Sequence, residues 1–445
     1  MTAVRSTSVE GGGGRRAGMS ATTTTAVPAT APKAPQAKRG RLSYPVLLLI
    51  FAGALLAVCA VRAITGAQDV TSSGQISGML QMAVPIGLAG LAGLWSERAG
   101  VVNIGLEGMM ILGTFFGAWA GWQTNPWIGL VAGILGGMLG GLLHAVATVT
   151  FGVDHIVSGV AITLLAQGTT QYLAKRWFNT GHAAALGGNP KQSPPIKSVP
   201  SITVPGLSDS LLTIEHHHWF LVSDLAGILG GLVTGLSYFT VLAALLFAAT
   251  FFVLWRTAFG LRLRSCGEAP IAAESLGVNV YFYKYAAVVL SGGLAGFGGA
   301  FLAMVPSHIY NEGQTGGRGY IGLAAMIFGN WRPGGLAMGA GLFGYTDSLQ
   351  LRSGGPAAHA LLLLLVILLV LLAARKVYRK SYRQGVLSAA FAALLLVWFL
   401  MTDTIPNEFV SATPYVATLL VLALSAQRLR MPKADGKPYR KGQGK

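Results

Sequence analysis

The stretch TAFGLRLRSCGEAPIAAESLGVNVYFYK, residues 257–284, is a polar segment between two strongly apolar runs. A short helix is predicted inside it, because Pro270 suits a first helical position, where its missing N–H would be unpaired in any case. Gly277 suits the left-handed position that ends a helix. The charged residues that give the segment a mixed-sign surface are Arg262, Arg264, Glu268 and Glu274. A short capped helix between apolar runs is typical of a knob that docks into another protein.

The chain around this segment is strongly apolar. Of its 445 residues 53% are hydrophobic and only 11% are charged, whereas a soluble domain carries about 25% charged residues. Glycine is abundant, with 61 residues, and small residues let membrane helices approach closely. We therefore expect an all-α fold, a polytopic integral membrane bundle, and not a soluble enzyme with an anchor.

Apolar runs recur along the whole chain, and a span needs about 20 residues. The runs lie at about 44–62, 76–95, 101–122, 127–150, 155–173, 237–256, 284–305, 318–331, 334–350, 357–374, 385–402 and 411–427. The run 318–331 is short, like the half-helices that transporters often place at a substrate site. Twelve crossings place both termini in the cytoplasm, and ten helices with two re-entrant runs are the alternative. The prediction is therefore 10–12 transmembrane helices in the cell membrane.

Basic residues cluster in segments that this topology places on one side. Seven of the 32 Lys and Arg precede residue 44, seven follow residue 427, five lie in 375–384 and four in 256–284. The positive-inside rule assigns such segments to the cytoplasm. The net charge of +17 is thus explained without nucleic-acid binding.

The chain divides into three predicted parts. Residues 1–43 are rich in Thr, Ala, Gly, Pro and basic residues, a composition typical of a disordered tail, here a cytoplasmic one. Residues 44–427 form the transmembrane domain, with 174–219 as an extracellular loop and 257–284 as a cytoplasmic coupling loop. Residues 428–445 form a second basic cytoplasmic tail.

The stretch LWSERAGVVNIGLEGMMILG, residues 94–113, carries polar groups inside an apolar run. Asn103 and Glu107 are four residues apart, so they are predicted to share one face of a helix. An ionisable residue inside a membrane is a functional-site hypothesis by default, and interhelical hydrogen bonding is the alternative. Gln81, in mid-span near Pro85, allows the same two interpretations.

The stretch SGGLAGFGGAFLAMVPSHIYNEGQTGGRGYIGLAAMIFGNWRPGG, residues 291–335, predicts a glycine-rich helix with Asn311 beyond its outer end. The aromatic rings of Phe115 and Phe297 can stack on a flat ligand, although most membrane aromatics pack or form interfacial belts. The hypothetical substrate-contacting residues are Gln81, Asn103, Glu107, Phe115, Phe297 and Asn311. No catalytic or metal-ligand constellation is predicted.

A phosphate loop of the GxxxxGK[ST] type does not occur in the sequence, and that pattern is the one that cradles nucleotide phosphates. If ATP drives this protein, another subunit must bind it. We therefore expect no enzyme activity and no cofactor on this chain.

Several motifs in the same order resemble one transporter family. They are ERAGVVNIGLEG at Glu97–Gly108, GLRLRSCGEAPIAAESLGV at Gly260–Val278, GRGYIGLAAMIFGNWRPGG at Gly317–Gly335, PYVATLLVLAL at Pro414–Leu424 and GKPY at Gly436–Tyr439. Together they resemble the permease subunits of ABC importers of the branched-chain amino acid and simple-sugar class, and more closely the nucleoside-type permeases. The resemblance covers roughly residues 75 to 440.

The resemblance implies partners and a substrate. A cytoplasmic ABC ATPase would use ATP and grip the coupling helix, a second related permease would complete a heterodimer, and a substrate-binding lipoprotein would deliver a nucleoside from outside. The implied coupling residues are Arg262, Glu268, Pro270, Ala273, Glu274 and Gly277. A simple-sugar permease is the alternative, followed by an ion-coupled secondary transporter, for which Glu107 would be the candidate ion site.

Overall fold

The computed structural model describes residues 44–352, 354–406, 408–410, 412–413 and 429–442. Its helices are α1 (Tyr44–Thr65), α2 (Ser73–Arg98), α3 (Leu106–Gln123), α4 (Pro126–Ala145), α5 (His155–Trp177), α6 (Gly181–Ala185), α7 (Leu207–His216), α8 (Val222–Val233), α9 (Tyr238–Arg256), α10 (Ala258–Glu268), α11 (Pro270–Ser275), α12 (Val280–Met304), α13 (Arg318–Phe328), α14 (Pro333–Arg352), α15 (Gly354–Tyr378) and α16 (Tyr382–Met401). Two short strands, β1 (Ser201–Ile202) and β2 (Leu236–Ser237), pair antiparallel. The chain separates into two compact units, Met1–Phe51 and Ala52–Lys445. Within the first unit, only the start of α1 belongs to the described residues.

Six of the described helices are long and apolar enough to cross a membrane. They are α2, α4 with the π-helical turn Val146–Thr150 that continues it, α9, α12, α15 and α16. Shorter apolar helices accompany them, among them α8 and α13. The predicted all-α, polytopic membrane fold is therefore confirmed.

Each predicted apolar run from 44–62 to 385–402 contains a helix. The last run, 411–427, and the predicted tail 1–43 lie almost entirely outside the described residues. The short run at 318–331 is the short helix α13, eleven residues long. The predicted coupling helix is α11, with Pro270 in its first turn and Gly277 in the left-handed conformation at φ 81°.

One local prediction is wrong: Asn103 does not share a helix face with Glu107, because α3 begins only at Leu106. The backbone before it is non-helical and mostly buried. Side chains of neighbouring helices satisfy its polar groups instead. The Val102 N–H donates to Nδ1 of His155 at 3.1 Å, and Nε2 of His144 lies 3.0 Å from the Val102 oxygen. Irregular backbone at membrane depth is tolerated where protein surrounds it in this way.

Helix α12 forms the centre of the bundle and packs against α2, α3 and α4. Glycines make this packing possible. A side chain at Gly296 would collide with the backbone of α4 at Gly133 and Gly137, and one at Gly113 would collide with Gly296 itself. Close backbone approach through small residues is how helices pack in membranes, where lipid offers no hydrophobic drive.

Helix α13 packs against α2 through two identical tetrapeptides. Ile86–Ala89 and Ile321–Ala324 both read IGLA. A Cβ at Gly322 would lie 2.7 Å from the Cβ of Ala89 and 2.8 Å from the Ile86 oxygen. The two helices are therefore in direct backbone contact along this stretch.

The sequence analysis missed helix α7, which lies within the predicted extracellular loop 174–219, and helix α8, which follows that loop. Asp224 of α8 pairs with Nε of Arg62 at 2.9 Å and accepts a hydrogen bond from the Thr71 hydroxyl at 2.5 Å. Arg62 and Thr71 both precede α2, so these contacts hold α8 next to the start of that helix. The end of the bundle that carries this region is called the loop end below, and the end that carries α10 and α11 is called the coupling end.

Candidate functional site

The first turn of α13 is held by the carboxylate of Glu107. Its Oε1 accepts the Gly317 N–H at 2.9 Å and its Oε2 accepts the Gly319 N–H at 2.7 Å. The first N–H groups of a helix lack intrahelical partners, and a negative charge there is favourable. A Cβ at Gly319 would lie 2.7 Å from the Glu107 Cα. Glycine at position 319 thus lets the carboxylate reach the helix start.

The other end of α13 is held by the adjacent residues Glu97 and Arg98 of α2. The Trp331 Nε1 donates to Oε2 of Glu97 at 2.6 Å, and Nη2 of Arg98 donates to the Trp331 oxygen at 2.6 Å. Asn330 and Trp331 both have a φ of 54°, a left-handed conformation that costs about 1–3 kcal/mol in non-glycine residues. These bonds hold the chain in that turn.

Two cavities flank the first turn of α13 at the loop end. The cavity on the α2 and α14 side has a volume of about 420 Å³, and the cavity on the α3 and α5 side has about 310 Å³. Gln314 lines both cavities. The polar residues of the larger cavity include Ser77, Gln81, Ser307, Gln314, Arg318 and Ser348. Those of the smaller cavity include Glu107, Thr163, Gln167, Gln171, Asn311 and Glu312.

An ion pair with Asp347 holds the Arg318 side chain at this site. Arg318 donates from Nε to Oδ2 of Asp347 at 2.8 Å, and its Nη2 lies 2.7 Å from the same oxygen. Its Nη1 donates to the Gln314 and Thr315 oxygens at 3.2 and 3.3 Å. The guanidinium is therefore paired with a carboxylate and hydrogen-bonded to two backbone oxygens. The Nε2 atom of Gln314 is buried without a hydrogen-bond partner among the described residues.

The stretch before Pro194 contacts two residues that line the smaller cavity, Asn311 and Glu312. Gln192 forms an isolated bridge with Asn311, and the Glu312 N–H donates to the Lys191 oxygen at 2.8 Å. Part of the predicted extracellular loop thus binds the segment that leads into α13.

Three of the predicted substrate-contacting residues line these cavities. Gln81 faces the larger one, and Glu107 and Asn311 face the smaller one. The other three are buried in the core. Asn103 donates from Nδ2 to the Ser291 hydroxyl at 3.0 Å, while the fully buried rings of Phe115 and Phe297 pack against other aromatic rings.

The sequence analysis did not predict the ion pair of Asp347 with Arg318 or the hydrogen bond between Glu97 and Trp331. Asp347 is the sole acidic residue in the apolar run 334–350, and a lone acid there could have suggested a basic partner such as Arg318. Nothing in the local pattern links Glu97 to Trp331, which is 234 residues away.

The coupling end carries α10 and α11 side by side. Of the six predicted coupling residues, Arg262, Glu268 and Gly277 are exposed, Pro270 and Glu274 are half-buried, and Ala273 is buried. Beside them, the apolar side chains of Ile271 and Leu276 are 47% and 85% exposed. The helix therefore presents a small apolar knob. Burial under the knob raises the pKa of the Cys266 thiol to about 11, so this thiol is protonated at neutral pH.

Within the described part of the chain, no group of three His, Cys, Asp or Glu side chains is arranged to hold a metal ion. The site consists of a half-helix, polar cavities and a buried ion pair, set among membrane-spanning helices. Together with the exposed knob at the opposite end, these features define a polytopic membrane transport protein.

The comparisons give the family. The family model for the branched-chain amino acid transport system permease component matches residues 75–372, so the chain belongs to this family. It is the transmembrane permease subunit of an ABC transporter, and membership implies an ATPase partner and a substrate-binding protein.

Curated relatives match most of the chain. The guanosine ABC transporter permease protein NupQ of Bacillus subtilis is 33% identical, over 82% of this chain and 95% of the relative. The nucleoside ABC transporter permease protein NupC of Lactococcus lactis is also 33% identical, over 82% and 96%. The putative glucose ABC transporter permease protein TsgC13 of Haloferax volcanii is 34% identical, over 63% and 78%. No solved structure matches the chain at a significant level.

Proposed function

We propose that this permease subunit imports nucleosides. The observation that carries the proposal is the similarity to the guanosine and nucleoside permeases, which spans 95% and 96% of those relatives. The chemistry at the start of α13 supports it. Amide and hydroxyl groups line both cavities, and such groups can donate to and accept from the ribose hydroxyls and base edges of a neutral ligand.

Gln81, Glu107 and Asn311 are proposed as contacts along the substrate path, because they line the cavities. Asn103, Phe115 and Phe297 would meet a nucleoside only in a state in which the helices have moved apart. ATP binding and hydrolysis would shift the transporter between such states.

The partners follow from the same proposal. An ABC ATPase docks on α11 in the cytoplasm and supplies the ATP site, so this chain needs neither an ATPase site nor a cofactor of its own. A second related permease completes a heterodimer, and a substrate-binding lipoprotein works outside the cell. Both termini, with the basic tails 1–43 and 428–445, lie in the cytoplasm, as the positive-inside rule favours.

The test is uptake of isotope-labelled guanosine and uridine by cells with and without the gene, with unlabelled ribose as a competitor. The proposal predicts that deletion abolishes nucleoside uptake and that excess ribose leaves wild-type uptake unchanged. Undiminished uptake after deletion, in a strain shown to express the protein beforehand, would overturn it.

Simple sugars are the second candidate, because the relative named as a putative glucose permease is 34% identical. The same assay separates the two. Uptake of labelled glucose or ribose that depends on the gene, together with gene-independent nucleoside uptake, would favour the sugar.

A further inference from the structure

The C-terminal segment, residues 429–442, is folded onto the coupling end, although its composition predicts only a basic tail. Four of its residues are buried: Pro432, Ala434, Asp435 and Tyr439. A solvated tail would leave such residues exposed. The burial shows that the segment has a defined place on the protein.

The C-terminal segment binds both helices of the coupling loop. The Ala434 N–H donates to the Gly267 oxygen at the end of α10, at 2.9 Å. The Gly442 N–H donates to Oε1 of Glu274 in α11, at 3.2 Å. The Tyr439 ring packs on Tyr281 at the start of α12, with ring centroids 5.4 Å apart. Glu274 therefore faces the C-terminal segment.

The same segment also reaches the turns that follow α13 and α2. The Arg430 N–H donates to Oδ1 of Asn330 at 2.7 Å. The Ala434 oxygen lies so close to Gly100 that a Cβ there would be 3.2 Å from it. The C-terminal segment thus connects the coupling loop to the turns after α2 and α13, which lie at the coupling end of α13.

Its outward side is basic. Lys433, Lys437, Arg440 and Lys441 are exposed, and none of them forms an ion pair with another described residue. They extend along the segment that binds α11, whose apolar side chains Ile271 and Leu276 are exposed. An apolar knob with a basic margin fits a groove that is apolar at its centre and acidic at its rim, since interfaces combine an apolar core with a polar, charge-complementary rim.

We propose that the C-terminal segment is part of the docking surface for the ATPase: it holds α11 in place and offers its basic side chains to an acidic rim on that partner. The inference rests on the proposed function in one respect, the docking of an ATPase on α11. It adds a second contact element and the sign of its charge. It also gives the ATPase a direct connection to the turn after α13.

The test is co-purification of the ATPase with the tagged full-length permease from membranes that contain the assembled transporter. The test variant combines Lys437→Glu, Arg440→Glu and Lys441→Glu, which leaves the buried residues of the segment unchanged. The matched control combines Arg375→Glu, Arg379→Glu and Arg383→Glu, three exposed basic residues at the end of α15, in the turn after it and at the start of α16. Permease yield in the membrane is measured for each, at low and at high salt.

At low salt, we expect the amount of ATPase that co-purifies with the test variant to be lower than with the control by a factor of about five or more. The introduced glutamates would face the acidic rim of the ATPase, and like charges across an interface repel each other. The wild-type interaction weakens as salt rises, since exposed charges are screened. Equal recovery in wild type, test variant and control would overturn the inference and leave the proposed function standing. Equal loss in the test variant and the control would also overturn it. No ATPase on the wild-type permease would overturn both.

Discussion

The two ends of α13 are held by the same chemical group in different surroundings. At the loop end, Glu107 binds two backbone N–H groups beside two cavities. At the coupling end, Glu97 binds the Trp331 indole, and the C-terminal segment binds the neighbouring Asn330. One end has space and polar groups, and the other is packed and in contact with the C-terminal segment, which belongs to the proposed ATPase-docking surface. The comparison suggests that substrate contacts belong to the first end and motor contacts to the second.

The largest effect is expected from Gly319→Val at the loop end. The new side chain would collide with Glu107, whose Cα lies 2.7 Å from the Cβ position, and would push the carboxylate away from both N–H groups. Overpacking costs about 1–3 kcal/mol and unpaired donors add to it, so uptake should fall at least about tenfold. Labelled-nucleoside uptake per amount of membrane-embedded protein measures this.

The matched control for that substitution is Gly334→Val at the coupling end, where a Cβ meets no atom within 4 Å. It should keep near-wild-type uptake. Equal losses in both valine variants would mean that the effect is general to glycine replacement and does not depend on Glu107.

Substitution of Glu107 itself should come next. Glu107→Ala leaves the Gly317 and Gly319 N–H groups without their acceptor, at a cost of about 1–3 kcal/mol for the buried Gly319 N–H, while Glu107→Gln can still accept one hydrogen bond. Uptake should therefore fall more in the alanine variant than in the glutamine variant, and the amount of co-purified ATPase should change little. Asp209→Asn, at an exposed carboxylate of α7, is the control. Loss of ATPase in proportion to uptake would assign Glu107 to assembly alone.

A smaller and different effect is expected from Trp331→Phe at the coupling end. The ring remains and the hydrogen bond to Glu97 is lost, which leaves a buried carboxyl without that donor, at about 1–3 kcal/mol. The variant should hydrolyse more ATP per nucleoside imported, with an unchanged nucleoside concentration at half-maximal uptake. An altered half-maximal concentration would contradict the division between the ends.

The smallest effect concerns pH. Burial raises the pKa of Asp435 from 3.8 to about 7. The docked C-terminal segment thus holds more protons than the released one between these values, so its docking weakens as pH rises through this window and levels off above it. Limited proteolysis of the segment should be faster at pH 8 than at pH 6. Asp435→Asn should remove most of this difference, and an unchanged difference would contradict the assignment.

Local sequence patterns predicted the elements whose signals are local. Pro270 and Gly277 mark the start and the end of α11 through their backbone conformations alone. The short apolar run at 318–331 predicted the short helix α13. The all-α membrane class followed from composition, because polar backbone in lipid is satisfied inside helices.

The remaining features depend on contacts between distant residues. Asn103 was predicted to be helical because it lies within the apolar run 101–122, yet His144 and His155 satisfy the backbone before α3. The Glu97–Trp331 bond and the packing of Tyr439 on Tyr281 join segments more than 150 residues apart. Such pairs have no local signal, so a single sequence cannot supply them.

The central claim is that substrate recognition and motor coupling are separated along α13. The most direct measurement is nucleoside uptake together with ATP hydrolysis by the complete transporter in proteoliposomes, for Gln81→Ala and Trp331→Phe in parallel. The account predicts that Gln81→Ala raises the half-maximal nucleoside concentration and leaves the ATP cost per nucleoside unchanged. Trp331→Phe should raise the ATP cost per nucleoside and leave the half-maximal concentration unchanged. If both variants change the same quantity, the two ends do not have separate tasks and the account is contradicted.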